Sequence, residues 1–151
     1  MQIALRPALS QDFEYCRRLY FAGMKRIIKK LNLDEAAQAI GLQQQWVLSE
    51  VRVITLDGCD IGWLQSTTRE DGFFVGQLFV DTPFQRRGIG REVMIRLIGE
   101  AAGLNQPVRL SVVKINPALR LYERLGFRII DEDDRKFYMK RDPDRAAPAS
   151  N

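Results

Sequence analysis

The stretch from Gln77 to Glu92 reads Gln-Leu-Phe-Val-Asp-Thr-Pro-Phe-Gln-Arg-Arg-Gly-Ile-Gly-Arg-Glu, and it constrains this chain more than any other. Leu78, Phe79 and Val80 suit a half-buried strand, Pro83 cannot donate to a central ladder and ends it, and the apolar residues after Gly90 fall into helical spacing. Two glycines at a strand-to-helix turn let successive amide N–H groups converge on an anion at the positive end of a helix. Arg86, Arg87 and Arg91 add three guanidinium forks that match phosphate oxygens. Glycines at such a turn also serve packing alone, so the rest of the chain has to decide between the two uses. Two other phosphate motifs are excluded. A Walker loop needs Gly-x-x-x-x-Gly-Lys-Ser/Thr, and the dinucleotide fingerprint needs a third glycine where Val93 stands.

Around this stretch the elements follow in a mixed order. Gln2 to Arg6 reads as a strand stopped by Pro7. Ser10 then caps a helix whose apolar positions Phe13, Cys16, Leu19, Tyr20 and Met24 make one face. Lys25, Arg26, Lys29 and Lys30 near its end read as a solvated helix terminus, favoured by the helix dipole. Asn32, with Glu35 three residues on, has the form of a capping box opening a second helix to about Gln45, with Leu33, Ala36, Ala37 and Ile40 as its core contacts. Val51 to Leu56 and Cys59 to Thr68 form a hairpin about Asp57-Gly58, and Phe73 to Val80 is the next strand. After the loop, Ile89, Val93, Leu97 and Ala101 define a helix ending near Gly103. Val108 to Val113, read as parallel to the strand before the loop, precedes a helix over 117–125, a strand Phe127 to Ile130, an acidic turn Asp131 to Asp134 and a closing strand Phe137 to Lys140. This order predicts an α+β (mixed α/β) fold around one mixed sheet, a single domain over 1–141, and a disordered tail over 142–151.

Composition removes several function classes. The chain has no histidine, which excludes Ser-His-Asp and Cys-His catalysis, and its two cysteines, Cys16 and Cys59, have no metal or disulfide spacing. No apolar run approaches the roughly 18 residues a membrane span needs, and the N-terminus lacks signal-peptide form, so the expected location is cytoplasmic. The net charge of +4 fits an anionic ligand, while basic residues spread along the chain argue against nucleic acid as a partner.

Gln-x-x-Gly-x-Gly after a strand ending in Val-Asp-x-Pro resembles the coenzyme A pyrophosphate loop of the GNAT superfamily of acyl-CoA N-acyltransferases. Asn116-Pro117-Ala118 followed by Leu121-Tyr122-Glu123-Arg124-Leu125-Gly126-Phe127 resembles the same family's C-terminal motif. The resemblance implies a GNAT-like fold, a central mixed, mostly antiparallel sheet with a V-shaped splay between the fourth and fifth strands and four helices. It implies acetyl-CoA or another acyl-CoA as cosubstrate and no metal. Cofactor contacts carry over to the main chain of Leu78, Phe79 and Val80, to Gln85, Arg86, Arg87, Gly88, Ile89, Gly90 and Arg91, and to Asn116, which also reads as a helix N-cap ahead of Pro117. Tyr122 carries over as the general acid for the leaving thiolate, beside a reading as a packed aromatic. Some members place a glutamate where this chain has Ser111, so the general base is unassigned; Glu50, Glu70 and Asp71 read as solvated charges. Tyr20, Trp46 and Trp63 read as packing residues rather than pocket walls.

The expected function is an N-acetyltransferase that moves an acetyl group from acetyl-CoA to a primary amine of a small molecule or peptide. The rivals are a noncatalytic acyl-CoA sensor or partner-binding module and, on charge alone, a nucleic-acid binder. Acceptor, acyl preference and oligomeric state, monomer or homodimer, are left open.

Overall fold

A computed structural model describes residues 2–144. It contains seven strands and four helices in mixed α+β order, as expected, and divides into two compact units. Among the described residues, the first comprises residues 2–67 and 75–90, the second residues 68–74 and 91–144.

The first unit holds β1 (Ile3–Pro7), α1 (Phe13–Lys30), α2 (Glu35–Gln45), β2 (Val51–Leu56), most of β3 (Cys59–Arg69) and the C-terminal part of β4 (Gly72–Val80). β1 and β2 pair antiparallel from Ile3↔Leu56 to Pro7↔Arg52. Pro7 therefore belongs to the strand rather than stopping it, which its place on an edge strand allows. β2 and β3 close the expected hairpin, with Asp57 at φ 49° and Gly58 at φ 85°, the paired positive values of a type I′ turn. Val51, Val53 and Trp63 project into a core with Ala8, Cys16, Leu19, Tyr20 and Leu42. A chain of rings runs through it: Phe13 against Trp46, Trp46 against Trp63, Trp63 stacked on Phe79, and Phe79 edge-on to Tyr20. Trp63 is fully buried and Tyr20 nearly so, its hydroxyl donating to Gln38 Oε1 of α2 at 3.0 Å.

Two helix starts differ from the sequence expectation. Ser10 opens a 3-10 turn, and Asp12 holds the N-cap position of α1 without a side-chain bond to that helix: its carboxylate reaches back to accept the Leu9 N–H at 2.7 Å and pairs with Arg6 at 2.9 Å. Asn32 takes φ 51° just beyond α1, and Asp34 caps α2 by accepting the Ala36 N–H at 3.2 Å. With the cap two residues later, α2 turns Gln38 and Leu42 inward, and Ile40 is left 58% exposed.

The second unit begins with the first residues of β4 and continues with most of α3 (Ile89–Gly103), β5 (Val108–Val113), α4 (Ala118–Arg124), β6 (Arg128–Glu132) and β7 (Lys136–Arg141). β4 and β5 run parallel, with register at Phe73↔Val108 and Phe74↔Arg109, the short parallel contact that a splay between the fourth and fifth strands requires. β7 pairs antiparallel with β5 and with β6, giving the strand order β4-β5-β7-β6 here and β1-β2-β3-β4 in the first unit. Val93, Met94, Leu97 and Ala101 of α3 are buried, as are Val108, Leu110, Val112, Phe127 and Met139.

β6 runs further than its sequence suggests. Asp131 and Glu132 pair with Tyr138 and Phe137, so half of the expected acidic turn is strand. The turn proper is tied by Asp133, whose carboxylate accepts from the Arg135 and Lys136 N–H groups and from the Tyr138 hydroxyl at 2.7 to 2.8 Å. Asp142, at the start of the stretch expected as a tail, pairs with Arg128 at 2.7 Å; residues 145–151 of that stretch lie outside the described residues.

Candidate active site

In the first unit the site is built from the end of β4 and the turn after it. Phe79 is held from two sides. Its ring lies against Gly23 of α1, where an added Cβ would come within 2.6 Å of it, and its carbonyl oxygen is still closer to the place a Cβ on Gly62 of β3 would occupy. Asp81 donates its N–H to the Ile61 carbonyl at 2.7 Å. Main-chain groups alternate sides along a strand, so with Phe79 and Asp81 turned to β3, those of Leu78 and Val80 face the opposite edge.

The turn is fastened by two side chains. Asp81 accepts the Thr82 N–H at 2.8 Å and caps a 3-10 turn over Thr82–Phe84, and Gln85 reaches back to donate to the Val80 carbonyl at 2.8 Å. Arg86 then takes φ 63° and Gly88 φ 79°. A left-handed arginine costs of order 1–2 kcal/mol, so the loop's path is imposed by its surroundings rather than by local preference. Ile89, 1% exposed, anchors the loop from below, and the first four N–H groups of α3, from Ile89 to Glu92, have no carbonyl within the helix.

Gly88 and Gly90 show what the loop is open to. A Cβ on either would meet nothing within 4 Å, and Gly90 has no left-handed φ to excuse it. The protein's own packing asks for neither glycine's lack of a side chain. Arg86, Arg87 and Arg91 are exposed, Arg87 with its guanidinium 5.6 Å above the Phe84 ring, and among the described residues none pairs with a carboxylate. A bare backbone at a helix start, ringed by uncommitted guanidinium groups, fits a polyphosphate.

In the second unit, Asn116 follows β5. Its Oδ1 accepts the Ala118 N–H at 2.9 Å and its main-chain N–H bonds the Val113 carbonyl at 2.8 Å, so it caps α4, and its Nδ2 is the part left for another partner. Tyr122 lies on α4, half-buried, its ring edge-on to Phe127 at 5.9 Å. Gly126, at φ 92°, closes the helix so that the Phe127 N–H returns to the Tyr122 carbonyl at 3.0 Å. Burial pushes the Tyr122 hydroxyl above the ordinary phenol value.

Of the carboxylates considered as bases, Glu70 is exposed and the other two are tied locally. Glu50 accepts from the buried Gln65 amide at 3.0 Å, and Asp71 lies 3.9 Å from Arg109, which stacks over Phe74. Ser111 is exposed on β5. Gly23, Gly62 and Asp81 were not visible as site-forming residues in the sequence; of the three, only Asp81 carried a signal, an acidic cap two residues before a proline.

A family model described as an acetyltransferase (GNAT) domain matches residues 44–129. No curated protein matches the sequence. Among solved structures, the PaiA N-acetyltransferase of Thermoplasma acidophilum in complex with coenzyme A superposes with a TM-score of 0.76 at 16% identity, over 94% of this chain and 99% of that one. The ribosomal-protein-S18-alanine N-acetyltransferase of Escherichia coli gives 0.63 at 18%, over 99% of each chain. N-acetylglutamate synthase of Neisseria gonorrhoeae, complexed with coenzyme A and N-acetyl-glutamate, gives 0.69 at 18%, over 96% of this chain and 36% of that one. At these identities the likeness is one of fold. The family match spans more than half of the 151 residues and includes the arginine loop, Asn116 and Tyr122, and by it the chain belongs to the GNAT acetyltransferase family.

Proposed function

We propose that the protein transfers an acetyl group from acetyl-CoA to a primary amine by direct attack. The observation that carries this is the loop from Gln85 to Gly90: two glycines facing open space, an arginine held at positive φ and three exposed guanidinium groups at the start of α3. The CoA-bound structural neighbours support reading it as a pyrophosphate seat. Leu78 and Val80 offer main-chain groups to the pantetheine arm, and the Asn116 Nδ2 offers one more donor.

The neutral amine attacks the thioester carbonyl, and a main-chain N–H of β4 stabilises the tetrahedral oxyanion. As the intermediate collapses, the carbon–sulfur bond breaks, and Tyr122 gives its hydroxyl proton to the departing thiolate. A phenol holds this proton at neutral pH and can give it up as the thiolate develops. The amine's surplus proton passes to solvent, and Tyr122 is reprotonated from the same source.

A thiol-release assay with acetyl-CoA against panels of amino acids, polyamines, aminoglycosides and peptide N-termini tests the activity. Thiol release dependent on one panel identifies the acceptor class. Tight acetyl-CoA binding with no release on any panel would favour a noncatalytic acyl-CoA sensor instead.

A further inference from the structure

α1 holds six of the chain's 23 lysines and arginines, Arg17, Arg18, Lys25, Arg26, Lys29 and Lys30, against one carboxylate, Glu14. Its charge of +5 exceeds the +4 of the whole chain, so everything outside α1 is close to neutral. The basic residues outside α1 are spread along the chain, as expected from the sequence, and α1 is the local exception. All six side chains are exposed, and among the described residues none pairs with a carboxylate. Arg6, Arg109, Lys114, Arg128, Lys140 and Arg141, by contrast, all do.

At about 100° per residue, Arg18, Lys25 and Lys29 fall within about 40° of one another, on the face opposite Cys16, Leu19, Tyr20 and Ile27. They make a line about 16 Å long, flanked by Arg17 on one side and by Arg26 and Lys30 on the other. Lys25 with Lys29, and Arg26 with Lys30, are like charges four residues apart, each pair costing a few tenths of a kcal/mol. The helix dipole compensates only in the last turn, at Lys29 and Lys30, and leaves Arg17, Arg18, Lys25 and Arg26 without that explanation.

We propose that this face of α1 binds the phosphate backbone of a nucleic acid. Charge alone would suit an acidic protein equally. The rings decide: Arg17 lies 5.2 Å over Phe21 and Arg18 5.4 Å over Tyr15, in a surface groove bordered also by Glu14 and Glu35. Guanidinium planes on aromatic faces beside a line of ammonium groups combine backbone tracking with base stacking. The two carboxylates shift the phosphate track toward Lys25, Arg26, Lys29 and Lys30. The chemistry fixes no base sequence, so binding is nonspecific and salt-sensitive.

The test is fluorescence anisotropy of a labelled 20-nucleotide single-stranded DNA, whose bases are free to stack, from 50 to 200 mM KCl, with wild type and R18Q/K25Q/K29Q. The triple variant should reduce the slope of log K against log salt by about 2, near 0.7 per lost phosphate contact on a single strand, and weaken binding at 50 mM at least tenfold. R18K/K25R/K29R should keep the wild-type slope. Acetyl-CoA affinity and Tm should be unchanged in both, which separates this face from the loop and from folding. No single-strand binding by wild type at 50 mM, or a slope unmoved in R18Q/K25Q/K29Q, would overturn the proposal. So would polyglutamate binding as tightly as the single strand with the same dependence on the three residues, which would assign the face to an acidic protein.

Discussion

Two turns in this protein gather charge, and they handle it in opposite ways. The turn after β6 is acidic, and the fold supplies partners for most of it: Asp133 takes three donors at 2.7 to 2.8 Å, Glu132 pairs with Lys114, and Asp133 is held down at about 2. The turn before α3 is basic and consumes none of its charge. Arg86, Arg87 and Arg91 meet no carboxylate among the described residues, and the glycines between them face open space. Sequence shows both as charge runs beside strands. What separates structure from function is whether the fold has already supplied the partner.

The largest effect is expected where that difference meets the chemistry. Tyr122→Phe keeps the ring against Phe127 and removes only the acid. Turnover should fall about 100-fold or more while acetyl-CoA affinity stays within about twofold, read by thiol release and calorimetry on one preparation. Wild-type turnover in this variant would reduce Tyr122 to packing.

Gly62→Ala should come next. Its Cβ would collide with backbone, the Phe79 carbonyl, which cannot swing aside like a side chain. A loss of roughly 1–3 kcal/mol is expected in urea unfolding, with weaker acetyl-CoA binding as β4 is displaced. Gly90→Ala sharpens the contrast from the other direction. Alanine in a helix is favoured over glycine by up to about 1 kcal/mol and here meets nothing, so the free protein should gain about 2–4 °C in Tm. Acetyl-CoA should nevertheless bind less tightly, because the methyl group occupies the space left for the pyrophosphate. A gain in stability with no loss of affinity would remove Gly90 from the site.

The smallest effect belongs to the acidic turn. Tyr138 is the first cause of the lowered Asp133 value, followed by the two backbone N–H groups. A depressed carboxylate adds stability above its unfolded value, and that contribution is lost as pH falls through the folded value. The hairpin should therefore loosen between about pH 4 and pH 2. Carboxyl NMR of Tyr138→Phe should show the Asp133 midpoint moving upward from about 2.

Much of this was legible in the chain because local chemistry agreed with the fold. Asp57-Gly58 could only be a tight hairpin turn, Ile89, Val93, Leu97 and Ala101 could only face one core, and Gln85 to Gly90 stood out among turns. The misreadings fall where two local solutions are equally good. Asn32 and Asp34 can each cap a helix; Asp34 does so, and α2 then turns Gln38 toward Tyr20 and leaves Ile40 outside. Asp131 and Glu132 have turn composition and join the strand because β7 offers them partners. Gly23 and Gly62 carry no signal at all until Phe79 is packed against them.

The most direct test of the basic turn is calorimetric titration of acetyl-CoA into wild type and Arg86→Ala/Arg87→Ala. Wild type should bind, and the double variant should lose about 100-fold in affinity and much of its salt dependence while keeping its Tm. Equal affinity in the two proteins, or no binding by wild type, would contradict the assignment of Gln85 to Gly90 as the cofactor's phosphate seat.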